Sequence, residues 1–370
     1  MDEPPPAHVG TACAGMKQNN NFDLLRVIFA ATVVVWHAYD LSKAEALSGI
    51  AGWFNADLAV KAFFVVSGYL VVMSCERSRS LTDYAGKRLR RIYPAYVAVL
   101  LLAVAGGALI TALPSADYLS TDIVRYLGWN LMFLNFIHPT LPGVFESNPW
   151  QEVNGALWTL KIEVMFYALV PVVVLMKRRL GAATTLMTLI LASMSYRIGA
   201  DWLHESTGRM LWLQLGRQLP GQLTYFLAGT ALYWYREAVA RHWRKLVIAA
   251  VAAGTGMTLV AVPLAQTVLE PLWLSIIVIY LAVGIPYFGN FARFGDFSYG
   301  LYILHFPVIQ TAVQLGWFDA DPWGAFCACL VIVMVLASIS WHVIEKPFLG
   351  RVSHYRQAEG ADVGQTVDRL

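Results

Sequence analysis

The stretch LLRVIFAATVVVWHAYDL, residues 24–41, is apolar enough to enter a bilayer, yet it carries Arg26 and His37. A helix rises about 1.5 Å per residue, so the two groups stand roughly 16 Å apart along its axis. An arginine at one membrane face can snorkel to the headgroups. A histidine that much deeper cannot, and an ionisable group at that depth points to function or to a specific partner.

The rest of the composition agrees with a membrane setting. Of 370 residues, 58% are hydrophobic and 14% charged, against about 45–50% and about 25% in a soluble domain. The expected fold is all-α, a polytopic helical bundle forming one membrane domain over 22–347. Residues 1–21 read as a disordered polar tail and 348–370 as a second tail, with the first helix an uncleaved anchor. Net charge is only +3 and no block resembles a nucleic-acid arm. Cysteines 13, 75, 327 and 329 fall in no expected external loop, so no disulfide framework is expected.

Ten apolar runs have the length of a span, at 24–41, 57–75, 92–113, 157–176, 182–199, 218–235, 246–264, 268–287, 295–316 and 324–344. A shorter run at 123–137 reads as an interfacial piece within the long connection 114–156. If the N-terminus is cytoplasmic, nineteen of the 27 Lys and Arg residues fall inside and five outside, with Arg26, Lys61 and Lys161 in spans. That bias predicts ten spans with both termini cytoplasmic. It also sets depths: Arg26 at the cytoplasmic end of its helix, His37 in the outer half, Lys61 toward the outside, Lys161 and Glu163 at about the level of His37, and His305 near the middle.

Further residues extend this pattern. In VKAFFVVSGYL, 60–70, Lys61 needs a carboxylate or a polar cavity, and Ser67 with Gly68 makes a small surface for a neighbouring helix or a thin ligand. The segment 76–94 reads as a cytoplasmic loop; its Lys87, Arg88, Arg90 and Arg91 suit either anionic lipid or the phosphates of a nucleotide-bearing donor. Trp158, Lys161 and Glu163 enter the fourth span, where Glu163 could serve as counter-ion to Lys61 or Lys161, or could orient an imidazole. The run FSYGLYILHFP, 297–307, adds Ser298, Tyr299, Tyr302 and His305 ahead of a helix-loosening Pro307. His37 itself reads either as a buried hydrogen-bonding ring or as a general base.

Together these residues resemble acyltransferase family 3, membrane acyltransferases of bacterial surface and secreted glycans. The resemblance rests on Arg26 with His37 eleven positions on, on Phe63-Phe64 before Ser67-Gly68, and on Arg91-Ile92-Tyr93-Pro94. It continues in Trp158-Thr159-Leu160 with Glu163, in Ser298, Tyr299, Tyr302, His305 and Pro307, and in Glu345 with Pro347. It implies transfer of an acyl group, foremost acetyl, from cytoplasmic acyl-CoA to a saccharide hydroxyl, by a multi-pass protein of the bacterial inner membrane. The catalytic residues expected are His37, Glu163 and Arg26. Arg26, Lys87, Arg88, Arg91, Ser67 and Gly68 would hold the donor, while Lys61, Trp158, Ser298, Tyr299, Tyr302 and His305 would line the path. Acetyl-CoA would be a co-substrate, with no resident cofactor and no metal; membrane lipids and a saccharide or lipid-linked saccharide are the other partners. Acylation of an antibiotic, lipid or periplasmic glucan, succinyl transfer, or a proton-coupled exporter are the alternatives these residues leave open.

Overall fold

A computed structural model of the chain describes residues 20–259, 263–291 and 295–350. Most of both expected tails, with Cys13, Lys17 and Arg293, lie outside these. Each of the ten apolar runs coincides with a long helix: α1 (Phe22–Ser42), α2 (Ala56–Arg77) and α3 (Leu81–Ile110), then, after the short α4 (Thr121–Leu131), α5 (Trp158–Leu180), α6 (Ala182–Thr207), α7 (Leu219–Trp234), α8 (Arg236–Leu259), α9 (Pro263–Val283), α10 (Phe297–Gln314) and α11 (Pro322–Ile339). No strand occurs among the described residues, and the described cysteines are free thiols.

Helix starts follow local chemistry. Asn55, Ser80, Asp296 and Asp321 each accept a backbone N–H from the first turn of the helix they precede. One boundary departs from the sequence reading. Most of the basic segment 76–94, expected to be mostly loop, forms the first half of α3, which starts eleven residues before the expected span. Ser80 caps it, its Lys, Arg and Leu residues favour helix, and apolar scanning cannot see a helix that leaves the membrane before it ends.

Six segments among the described residues are long and apolar enough to cross a membrane: Phe22–Ser42, Ala56–Arg77, Leu81–Ile110, Gly155–Leu180, Gln266–Val283 and Pro322–Phe348. Helices α6, α7, α8 and α10 are not among them, and for α7 and α10 burial gives a physical reason. Most of their residues are buried against other helices, so they have no need of a lipid-facing apolar surface and can carry Gln, Thr, Tyr and His.

The helices run up and down. Glu76 at the end of α2 accepts Lys177 Nζ from the end of α5 at 2.8 Å and Trp234 Nε1 from the end of α7 at 3.1 Å. Asn21, just before α1, donates to the Leu281 carbonyl near the end of α9. One end of the bundle thus gathers the basic residues Arg77, Lys87, Lys177 and Arg236, and it is called here the basic end.

Among the prolines inside helices, Pro307 and Pro171 open gaps that are closed from elsewhere. Pro307 cannot donate to the Ile303 carbonyl, which instead accepts Asn154 Nδ2 at 2.8 Å; Pro171 leaves the Tyr167 carbonyl to Tyr84 Oη at 3.0 Å. Where α2 crosses α7 the backbones nearly touch. A Cβ on Gly68 would lie 1.9 Å from the Phe226 carbonyl oxygen, and one on Gly229 would lie 2.0 Å from that of Val65. Gly68 is therefore occupied by helix packing.

Candidate active site

Helices α1, α2, α5 and α10 enclose a small cavity of about 50 Å³, room for a few water-sized groups. Its polar lining is Arg26, Ser67, Thr159, Glu163, Ser298, Tyr299 and Tyr302, and Phe63 and Phe64 close its apolar side. Residues from four helices, up to 276 positions apart in sequence, so meet in one space. Tyr302 Oη and Thr159 Oγ1 lie 2.7 Å apart, and Glu163 Oε1 accepts Tyr167 Oη at 2.5 Å.

Toward the basic end the cavity closes on ion pairs. Arg26 donates to Asp296 at 2.9 Å, and Arg91 donates to the same carboxylate and, at 3.3 Å, to Glu345. Asp296 also caps α10 through the Ser298 N–H and accepts the Ser298 hydroxyl, while Ser340 donates to Glu345 at 3.0 Å. Both acidic side chains are only 2% exposed. Two guanidinium and two carboxylate groups balance charge, the condition under which such groups can be buried. A π-helical turn, Ser340–Glu345, continues α11 and presents Glu345 to the cluster.

Arg88 stands apart from this cluster. It donates to Ser74 Oγ at 3.1 Å and lies 5.6 Å from the centre of the Tyr167 ring, its Nε is buried with no partner, and no carboxylate pairs with it among the described residues. A guanidinium held by a hydroxyl and a ring face keeps its capacity for an anion. Through Tyr167 it adjoins Glu163, at the cavity wall. Lys87 differs, being exposed and paired with Asp83 at 2.7 Å.

His37 lies outside the cavity lining. Its Nδ1 is 2.9 Å from Nε2 of His305, the two rings are stacked with centroids 5.0 Å apart, and Phe306 meets His37 edge-on at 5.4 Å. Tyr302, in the cavity wall, meets His305 edge-on at 5.9 Å. The imidazole pair therefore sits next to the cavity, with Tyr302 between.

Several expected roles change. Glu163 neither orients His37 nor neutralises a lysine: the imidazole's partner is His305, Lys61 pairs with Asp57 at 2.6 Å and Glu270 at 2.7 Å, and Lys161 donates to Gln218 at 2.6 Å. Lys61 and Trp158 are not among the cavity-lining residues. Asp296 escaped the sequence reading because it lies inside a segment scanned for apolar content. Its signal was capping chemistry, an acidic residue two positions before Ser298 at a helix start.

The arrangement sets a small, mixed-polarity cavity beside an imidazole pair. A family model described as an acyltransferase domain matches residues 19–342. The chain belongs to acyltransferase family 3. It is accordingly a multi-pass membrane acyltransferase, which sets the exporter reading aside. It is 32% identical over 359 residues to an O-acetyl transferase of Shigella phage Sf6, covering 91% of this chain and 98% of the relative. Nodulation protein 10 of Rhizobium leguminosarum bv. viciae is 29% identical over 355 residues, 89% of this chain and 92% of that protein. A putative membrane-bound transacylase, BcsY, of Komagataeibacter xylinus is 25% identical over 348 residues. No solved structure matches the chain at a significant level.

Proposed function

We propose that this family 3 acyltransferase moves an acetyl group from cytoplasmic acetyl-CoA to a hydroxyl of a surface or lipid-linked saccharide, from a bacterial inner membrane that it crosses ten times with both termini cytoplasmic. The observation that carries this reading is the adjacency of the Arg26–Glu163–Tyr302 cavity to the His37–His305 pair. The relatives' names, an O-acetyl transferase among them, support acetyl as the group moved.

In this reading the basic end faces the cytoplasm. Phosphates of the donor bind at Arg88, which has no carboxylate partner among the described residues, while Arg26 and Arg91 are already engaged with Asp296. The thin pantetheine arm enters between Ser67 and Glu163, whose carboxylate can accept an amide N–H from it. At the far end the thioester carbonyl meets the hydroxyls of Tyr302 and Thr159, donors for the oxyanion that develops there. His37 takes the proton from the acceptor hydroxyl as its oxygen attacks the carbonyl carbon. The C–S bond then breaks, and the CoA thiolate recovers the proton. The acceptor approaches His37 from the opposite end. Holding the two substrates in line is a large part of the rate gain.

The test is acetyl transfer from radiolabelled acetyl-CoA by purified protein, with O-acetyl groups on the cell's surface polysaccharide counted by NMR. His37→Ala, present in the membrane at the normal level, should abolish both. Full acetylation by that variant would overturn the assignment of His37 as the base.

A further inference from the structure

We infer that His305 is a positioning residue for the reaction: it fixes which nitrogen of His37 carries the proton, and it shares the charge when His37 becomes protonated. The inference rests on His37 being the base.

Nδ1 of His305 lies 3.1 Å from the Leu301 carbonyl oxygen, which can only accept, so this nitrogen carries a proton. His305 is fully buried, and no carboxylate pairs with either imidazole among the described residues. A second proton would leave an unpaired buried cation, so the ring is neutral and its Nε2 holds a lone pair. That lone pair faces Nδ1 of His37 at 2.9 Å, which must therefore donate. A proton on Nδ1 leaves the lone pair of the neutral His37 ring on Nε2, where among the described residues no hydrogen bond reaches it. The ring is thus set in its basic tautomer before any substrate arrives.

The pair also has a use during the reaction. When Nε2 of His37 takes the acceptor's proton, the Nδ1 proton can shift to Nε2 of His305, while His305 Nδ1–H stays on the Leu301 carbonyl. The positive charge is then spread over two stacked rings, in a site that offers neither ring a carboxylate. As the thioester C–S bond breaks, His37 returns its proton to the leaving thiolate and the shared proton moves back. Both rings regain their starting tautomers, with no net change.

The fold holds His305 firmly enough for this role. Pro307 would loosen α10 two residues further on, but Asn154 takes up the freed Ile303 carbonyl, and Gly155 lies so close to the Phe306 ring that an added Cβ would be 2.8 Å away. That same Phe306 ring packs on His37.

The experiment compares His305→Leu with His305→Gln in purified protein and records the ¹⁵N spectrum of His37 in the unaltered enzyme, assigned by its loss in His37→Ala. Leucine removes the acceptor. Glutamine can place its amide oxygen where Nε2 stood. His305→Leu should lower kcat by about a hundredfold with the KM for acetyl-CoA unchanged, His305→Gln should recover at least about tenfold of that loss, and His37 should show a lone-pair-bearing Nε2. A protonated Nε2 in the neutral enzyme overturns the inference even if both variants fail to fold. Full kcat in His305→Leu while His37→Ala is dead overturns the relay and leaves the base assignment standing. An active His37→Ala overturns both.

Discussion

Asp296 binds Arg26 at 2.9 Å although 270 residues separate them, and the same carboxylate accepts Arg91. Three helices, α1, α3 and α10, are thereby tied at the basic end by one acidic side chain that is 2% exposed. Its position just below the cavity means that the arginine of the leading motif is aimed by a partner at the opposite end of the sequence.

Asp296→Asn keeps the shape of that side chain and deletes its charge. Two buried guanidinium groups would then face one carboxylate, Glu345. Breaking a buried ionic group in this way costs roughly 3–5 kcal/mol, so the melting temperature of the detergent-solubilised variant should fall clearly. An unchanged melting temperature would mean that the cluster contributes nothing to holding α10 against α1 and α3.

Arg88 and Arg91 are three residues apart and should behave differently. Arg88→Ala removes a cation without a carboxylate partner, so it should raise the KM for acetyl-CoA by about tenfold or more with little loss of stability. Arg91→Ala strips Asp296 and Glu345 of a shared partner and should lower stability first. Thermal unfolding and steady-state kinetics on both variants separate these effects, and equal behaviour would contradict the distinction.

Neighbours Ser67 and Gly68 should also part company. Gly68→Ala drives a methyl group into the Phe226 carbonyl of α7, so the α2–α7 crossing must open and the protein should lose abundance or elute as an aggregate. Ser67→Ala, on the cavity wall, should insert and fold normally and act only on turnover. Size-exclusion profiles and membrane levels read the first effect, and acetyl transfer the second.

Lys61 is held by Asp57 and Glu270 and belongs to a structural ion group joining α2 to α9, with Tyr225 Oη donating to Glu270 at 3.1 Å. Lys61→Met should destabilise by about 1–3 kcal/mol because Glu270 is left half-buried without its cation. Adding Glu270→Gln should restore much of that loss, a coupling that a double-mutant cycle measures directly. Simple additivity of the two changes would exclude the pairing as a source of stability.

The helical character of the chain and the places of its long helices were legible from residue order because bilayer hydrocarbon demands long apolar runs with internally satisfied backbones, whatever the neighbours are. Candidate site residues stood out for the same reason: Arg26, His37, Glu163 and His305 are expensive where they stand, and their cost marks them. What surrounds each was decided only by tertiary structure. The sequence placed Glu163 at about the level of His37 and His305 near the middle of the membrane, but depth does not say which of them faces His37. Rotation of α10 about its axis does, and it brings His305 to 2.9 Å. Likewise Asp296 is one carboxylate among 24 acidic residues in the chain until α1 and α3 pack beside it, and then it neutralises the arginine of residues 24–41. Solvent cost is a property of one residue in its segment, whereas pairing depends on several helices at once.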